Sequence, residues 1–183
     1  MAALEALIPL SARSLQAATY TPAQIEAALG TVFAVDHRLI ADGTYFIAER
    51  DRAMVGCGGW SRRQTLFGGD HGGARNDTLL DPARDAARIR AFFVHPAHAR
   101  QGVGRLLMAA CERAARAEGF CRFELVATLA GERLYLASAF RVVERYDLTL
   151  PHGLALPVVR MVKDTLSCES VGIGSPASTR ALG

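Results

Sequence analysis

Two glycines beside two arginines form the part of this sequence best suited to chemistry. Gly102 and Gly104 lie two positions apart at the start of an apolar-periodic segment, with Arg100 and Arg105 on either side. Because glycine has no Cβ, a bulky anion can approach its backbone closely. The first N–H groups of a helix are unpaired, and the positive end of the helix dipole attracts an anion. The spacing therefore predicts a loop that binds phosphate groups, with charge added by the arginines.

Other glycine-rich nucleotide motifs do not fit this run. A dinucleotide-binding loop needs a third glycine and an acidic residue about 20 positions later, and a Walker A loop ends in Gly-Lys-Ser/Thr. Neither pattern is completed after Gly104. By itself, the pair of glycines is equally compatible with the start of a helix that binds nothing.

The elements around the glycines predict how the loop is positioned. A strand is predicted over residues 88–94, where it ends in an apolar run and is closed by Pro96. Residues 102–118 have the spacing of an amphipathic helix that ends at Gly119. A second strand is predicted over residues 121–127, and a right-handed strand-helix-strand crossover makes the two strands parallel neighbours. The loop is thus expected where a buried strand meets the start of a long helix.

The remaining predicted elements complete an α/β (α+β) fold, a mixed sheet with helices on both faces. Helical patterns cover residues 2–17 (kinked or divided at Pro9), 22–29 and 130–138. Strand patterns cover residues 44–48, 54–66, 142–150 and 156–162. Residues 33–42 are expected to be a short helix or an irregular connection. The flanking strands are joined by short turns and are expected to be antiparallel. Glycines either weaken the strand 54–66 or mark a bulge within it, and they predict a mobile loop over 68–78.

The composition is that of one globular domain. Of the 183 residues, 50% are apolar, and the net charge of +3 comes without a cluster of Lys or Arg, so we expect no nucleic-acid partner. We expect a single domain over residues 1–163 and a disordered tail over 164–183, where small polar residues dominate. No stretch approaches the roughly 20 apolar residues of a membrane span, so we expect no membrane partner and a cytoplasmic location. A homodimer stays open.

The cysteines do not predict a metal site. Cys57, Cys111, Cys121 and Cys168 form no CxxC pair and lie at no zinc-ligand spacing from a histidine, so buried free thiols are expected. An Asp-His pair in the segment 68–78 supplies only two ligands in a glycine-rich loop. We therefore expect no metal.

Residues 88–140 resemble the core of the GNAT acetyltransferases. That family's loop, Gln/Arg-x-x-Gly-x-Gly/Ala, opens a long helix after a strand that commonly ends in Val-x-Pro. Here residues 93–96 read FVHP, and residues 100–107 read RQGVGRLL. The family's second landmark, a Tyr on the next short helix followed by Gly-Phe, matches residues 134–140, LYLASAF, with the Tyr at 135. Both landmarks occur in order, with a helix and a strand between them.

The resemblance implies a mixed, mostly antiparallel sheet in which a central parallel pair of strands splays apart and holds acetyl-CoA. The backbone of Phe92, Phe93 and Val94 would bind the pantetheine amides as a neighbouring strand would, and the Val94 N–H would stabilise the thioester oxygen. Tyr135 would protonate the leaving thiolate. The other cofactor-binding positions that the family implies are Arg100, Gln101, Gly102, Val103, Gly104, Arg105 and Thr128.

Four departures from the family's pattern bear on this expectation. The leading Gln/Arg position of the loop holds Ala99, so the backbone must do most of the binding. The Gly of the second landmark is Ala139, which a negative φ would tolerate, and Thr128 stands where the family often has Asn. The family also usually opens with a strand, whereas this sequence begins with the pattern of the first helix, so that strand is expected to be short or missing.

The implied reaction is acetyl transfer from acetyl-CoA to a primary amine of a small molecule or peptide, by direct attack in a ternary complex. The strand 88–94 offers no carboxylate to accept the amine proton. Asp36, His37, His95 and a chain of water molecules stay open for that role, and Glu124 is expected to point away from the cleft.

The acceptor pocket is expected near the first two helices and the glycine-rich strand, with candidate residues Tyr20, Tyr45, Trp60 and Arg62. Two other interpretations stay open: a catalytically weak module that senses acetyl-CoA, and a scaffold domain whose glycines only start a helix.

Overall fold

The computed structural model describes residues 1–66 and 77–165, which form five α-helices and six strands. The helices are α1 (Ala2–Leu15), α2 (Pro22–Ala28), α3 (His37–Ala41), α4 (Val103–Ala117) and α5 (Glu132–Leu136). The strands are β1 (Tyr45–Arg50), β2 (Ala53–Ser61), β3 (Ala87–Val94), β4 (Arg122–Thr128), β5 (Arg141–Thr149) and β6 (Ala155–Asp164). Each predicted helix and strand is therefore present, with ends shifted by a few residues.

The six strands form one sheet in the order β1-β2-β3-β4-β6-β5. Only β3 and β4 are parallel, and every other neighbouring pair is antiparallel. The mixed, mostly antiparallel sheet with a central parallel pair is confirmed. The last described strand, β6, lies between β4 and β5, one position in from the edge of the sheet.

Helices cover both faces of this sheet. On one face, Met108, Cys111 and Ala115 of α4 pack against Phe123 and Leu125 of β4. The other face carries the first two helices, and the residues that form its core include Leu4, Leu7, Ile8, Ile25, Ala28, Leu156 and Val158. The three-layer arrangement leaves the middle of the sheet between two apolar cores.

Helix α1 runs without a break through Pro9, so of the two expectations, a kink or a division, the division is wrong. Proline lacks an N–H and removes one bond to the carbonyl four residues earlier. That carbonyl belongs to Glu5, which is exposed, so water can bind it. Strand β2 ends at Ser61, earlier than predicted. Beyond it, the Arg63 guanidinium pairs with the Asp42 carboxylate at 2.8 Å.

Ala139 adopts the conformation that favours glycine. Its φ is +66°, directly after α5, and the next N–H, that of Phe140, donates to the carbonyl of Tyr135. A left-handed residue at this position is a common way to end a helix, and glycine takes it without strain. The expectation of a negative φ at Ala139 is wrong, and the side chain there costs about 1 kcal/mol.

The cysteines divide into two kinds. Cys57 and Cys111 are free and buried, as expected. Cys121, just before β4, is disulfide-bonded, so the expectation of a free thiol is wrong for this residue. Cys168 lies outside the described residues, as do most of the expected loop 68–78 and the expected tail after Thr165.

In the described ranges, none of the helices has the length and apolar character needed to cross a membrane. The same residues contain no group of three or more side chains that could hold a metal ion. The cytoplasmic location and the homodimer stay predictions.

Candidate functional site

Strands β3 and β4 are neighbours over only a short part of their length. They pair at Ala87 with Phe123 and at Arg88 with Glu124, and at no later position. Strand β4 meanwhile stays paired with β6 up to Thr128. Because β3 leaves its neighbour after Arg88, the facing edges of the two strands lose their strand partner and open into a cleft.

A bulge in β3 accompanies this separation. The register between β2 and β3 shifts between Cys57 and Gly59, and Ala91, opposite this shift, has a φ of +56°. The Phe92 ring lies directly on Gly58, where an added Cβ would come within 2.7 Å of the ring carbons. The extra residue lies on β3, between Arg90 and Phe93, and not on β2, where the sequence predicted a weakened strand or a bulge. The Phe92 ring packs against Tyr135 of α5.

The predicted phosphate loop ends at the start of α4 with open backbone amides. Gly102 is the N-cap residue of α4, has a φ of +89°, and leaves the helix without a side-chain cap. A Cβ at Gly102 would meet no atom within 4 Å, so the space above the loop is free. At Gly104 a Cβ would lie 2.9 Å from Leu134 Cδ2 of α5. The first glycine thus leaves room for a ligand, and the second allows two helices to pack.

A cleft of about 530 Å³ runs between this loop, the separated strands and α5. Most of the predicted site residues line it: Phe92, Val94, Arg100, Gly102, Val103, Gly104, Arg105, Thr128 and Tyr135. Two do not. The Phe93 ring packs edge-to-face on Phe33 at 6.3 Å, and the Gln101 side chain donates to the Ala97 carbonyl at 2.9 Å.

Tyr135 lies at the inner end of the cleft. Its ring packs between those of Phe92 and Phe140, with centroids at 6.2 and 6.1 Å. Burial, and to a lesser extent the nearby Cys111 thiol, raises the pKa of the Tyr135 hydroxyl well above its usual range. The phenol therefore stays protonated throughout neutral pH, as a proton donor must.

Three arginines, Arg100, Arg105 and Arg133, surround the outer part of the cleft. All three side chains are exposed, and none pairs with a carboxylate of the described residues. Sequence reasoning missed Arg133, because an exposed arginine on a short helix has no distinguishing pattern. Their uncompensated charge suits a ligand with several phosphates.

Helix α1 supplies a wall of the cleft that the sequence did not predict. Ser11, Leu15 and Gln16 all line it. The Val94 N–H, expected to stabilise a thioester oxygen, donates to Ser11 Oγ at 3.2 Å. A single serine in an apolar helix carries no sequence signal of this role, because its partner is 83 residues away.

The groups considered as general bases lie elsewhere. Asp36 is 1% exposed, caps α3 and pairs with the Arg90 guanidinium at 2.6 Å. Glu124 pairs with Arg88 and with Arg160. No carboxylate of the described residues lines the cleft, and neither His37 nor His95 does.

The acceptor-pocket candidates have structural partners instead. The Tyr20 hydroxyl donates to the Pro157 carbonyl at 2.6 Å and accepts from the Leu129 N–H, which joins the start of α2 to β6. Tyr45 is within hydrogen-bond distance of Cys57, and Trp60 is buried. Arg62 pairs with Glu118 at 2.8 Å. None of the four candidates lines the cleft.

The chain belongs to the acetyltransferase (GNAT) family, whose sequence model matches residues 11–140, more than half of it. No curated protein matches the sequence at a significant level.

Many solved structures share the fold. A GCN5-related N-acetyltransferase from Rhodopseudomonas palustris has a TM-score of 0.65 at 22% identity, and 89% of this chain and 88% of that chain are covered. The structure of yncA from Salmonella typhimurium with its cofactor acetyl-CoA has a TM-score of 0.55 at 16% identity, and 89% of this chain and 88% of that chain are covered. A ribosomal-protein-alanine N-acetyltransferase from Brucella melitensis has a TM-score of 0.56 at 16% identity over 89% and 94%.

Proposed function

We propose that this protein transfers an acetyl group from acetyl-CoA to a primary amine of a small molecule or peptide. The observation that carries the proposal is the meeting of two open backbone surfaces in one cleft. One is the uncapped start of α4 at Gly102, and the other is the edge of β3 that β4 leaves after Arg88. A ligand with phosphates at one end and amides along an extended arm matches both.

The two halves of acetyl-CoA call for different contacts. Its phosphates would bind the first N–H groups of α4, with Arg100, Arg105 and Arg133 adding charge from the rim. Its pantetheine arm would take the place that β4 vacates, with amides facing the backbone of β3. A related fold, yncA from Salmonella typhimurium, was solved with acetyl-CoA, which supports this choice of ligand.

The proposed reaction needs few catalytic side chains. A neutral amine attacks the thioester carbonyl, so that a carbon–nitrogen bond forms and the carbon–sulfur bond breaks. The sulfur takes the proton of the Tyr135 hydroxyl, whose raised pKa keeps that proton available. The amine proton passes to solvent, and Tyr135 regains a proton from solvent. Most of the rate gain comes from holding the two reactants together in the cleft.

The acceptor is a primary amine in this proposal, and a peptide N-terminus is one form of it. The Brucella melitensis structure of the same fold is named a ribosomal-protein-alanine N-acetyltransferase, which supports a peptide amine as one form of the acceptor. The described residues of the cleft include no carboxylate to bind or deprotonate an amine. That observation favours a second candidate, a module that binds acetyl-CoA and transfers acetyl groups slowly.

Two measurements test the proposal. Acetyl-CoA near 1 mM should raise the melting temperature, because a ligand that binds only the folded state stabilises it. Release of the free thiol in the presence of a panel of amines and peptides should then exceed release without an acceptor. An unchanged melting temperature contradicts both candidates, and binding without acceptor-dependent thiol release leaves only the sensing module.

A further inference from the structure

Helix α1 brings two polar side chains with unused hydrogen-bonding capacity to the cleft. Ser11 and Gln16 both line it, on the side opposite α4 and α5. The sequence motifs that predicted the phosphate loop and the strands of the cleft lie outside this helix. Both side chains are therefore positioned to bind a ligand in the cleft.

Ser11 is only 4% exposed, and its hydroxyl does not follow the usual habit of a helical serine. Such a hydroxyl commonly donates to the carbonyl one turn earlier in its own helix. Here Ser11 Oγ accepts from the Val94 N–H at 3.2 Å and donates to no described residue. A hydroxyl can accept and donate at the same time, and accepting a bond strengthens its own donation. Ser11 therefore offers a polarised O–H group to the cleft.

Gln16 offers the complementary group. Its side-chain oxygen Oε1 is buried and has no hydrogen-bond partner among the described residues. A buried acceptor without a partner is costly, and the cost is recovered when a donor arrives. The helix thus presents a hydrogen-bond donor at Ser11 and an acceptor at Gln16, which are the two groups that bind an amide.

The position along β3 decides which part of a ligand reaches them. The Tyr135 ring contacts Phe92, and Val94 is two residues, or about 7 Å, further toward the phosphate loop. In the proposed function, the thioester lies at Tyr135 and the phosphates at Gly102. Ser11 then faces the stretch between them, where the pantetheine arm carries its amides.

We propose that Ser11 and Gln16 form the side-chain half of the pantetheine site. Ser11 Oγ holds the Val94 N–H and donates its own proton to an amide carbonyl of the arm, while Gln16 Oε1 accepts from an amide N–H. This inference rests on the proposed function and leaves the Val94 N–H bound to Ser11, not to the thioester oxygen. It makes α1 part of the cofactor site.

The test compares two ligands on matched variants. Coenzyme A contains the arm, and its nucleotide half keeps the phosphates but lacks the arm. Ser11→Ala should weaken coenzyme A binding roughly 2- to 12-fold and leave the nucleotide half unchanged, as measured by calorimetric titration. Ser61→Ala is the control, because Ser61 is 1% exposed, loses an equivalent bond from the Arg63 N–H, and does not line the cleft.

A second variant covers the case in which Ser11→Ala does not fold. Gln16→Met keeps the length of the side chain and removes the acceptor, so it should weaken coenzyme A and spare the nucleotide half, while Gln16→Glu restores an acceptor. The inference is overturned if Ser11→Ala and Gln16→Met, where they fold, bind coenzyme A as tightly as the wild type does. It is also overturned if they lose affinity for coenzyme A and for the nucleotide half equally. If the wild type binds neither ligand, the proposed function itself fails.

Discussion

Replacement of Gly102 by alanine separates a ligand-binding glycine from a merely conformational one. Gly102 has a φ of +89° and open space around the position of a Cβ. Gly30, at the end of α2 and far from the cleft in the sequence, has a φ of +78° and equally open space. The two glycines therefore differ mainly in whether a ligand occupies that space.

The size of the effect follows from these two features. A left-handed alanine costs about 1–2 kcal/mol, so both Gly102→Ala and Gly30→Ala should lower the melting temperature by roughly 2–8 °C. At Gly102 the new methyl group also holds the phosphates away from the backbone amides. Loss of one charge-assisted hydrogen bond costs about 1.5–3 kcal/mol, which corresponds to a roughly 10- to 150-fold weaker binding of acetyl-CoA.

Thermal unfolding without ligand and calorimetric titration with acetyl-CoA measure the two effects separately. We expect the two variants to lose similar stability and only Gly102→Ala to lose affinity. Equal affinity of the two variants for acetyl-CoA would refute the placement of the phosphates at the start of α4.

Three further predictions concern other positions. Tyr135→Phe should lower kcat about 100-fold or more with little loss of stability. Because burial raises the pKa of the Tyr135 hydroxyl in the folded state, the free energy of unfolding of the wild type should fall above about pH 10 more steeply than that of the variant. The difference should reach up to about 1.4 kcal/mol per pH unit in urea titrations. Arg133→Gln should weaken acetyl-CoA about 2- to 5-fold at low salt and less at high salt, whereas Arg113→Gln, on the exposed side of α4, should not. Ala139→Gly should raise the free energy of unfolding by about 0.5–1 kcal/mol, and a lower melting temperature would contradict the strain assigned to that residue.

Local sequence patterns were sufficient to predict the helices, the strands and the phosphate loop. The apolar spacing of residues 102–118 and the glycines before it predicted α4 and its open N-terminus, because both depend on neighbours in sequence. The bulge in β3 was not predicted, because it depends on how β2 and β3 pair and not on a pattern within β3. The Tyr135 position came from a resemblance and not from periodicity.

Contacts between distant segments were not predictable in the same way. Ser11 meets Val94 across 83 residues, and Arg90 meets Asp36 in a buried pair that links α3 to the sheet. Residues of this kind look ordinary in their own segments, since a serine in an apolar helix or an aspartate before a short helix fits a purely structural role. Only the packing of α1 and α3 on the sheet reveals which strand each one touches.

A crystal structure of the protein with acetyl-CoA tests the central claim most directly. We predict phosphates on the backbone amides that follow Gly102, and a pantetheine arm between β3 and β4 with the sulfur near the Tyr135 hydroxyl. Acetyl-CoA bound elsewhere, or a cleft between β3 and β4 that stays empty at saturating ligand, would contradict the account.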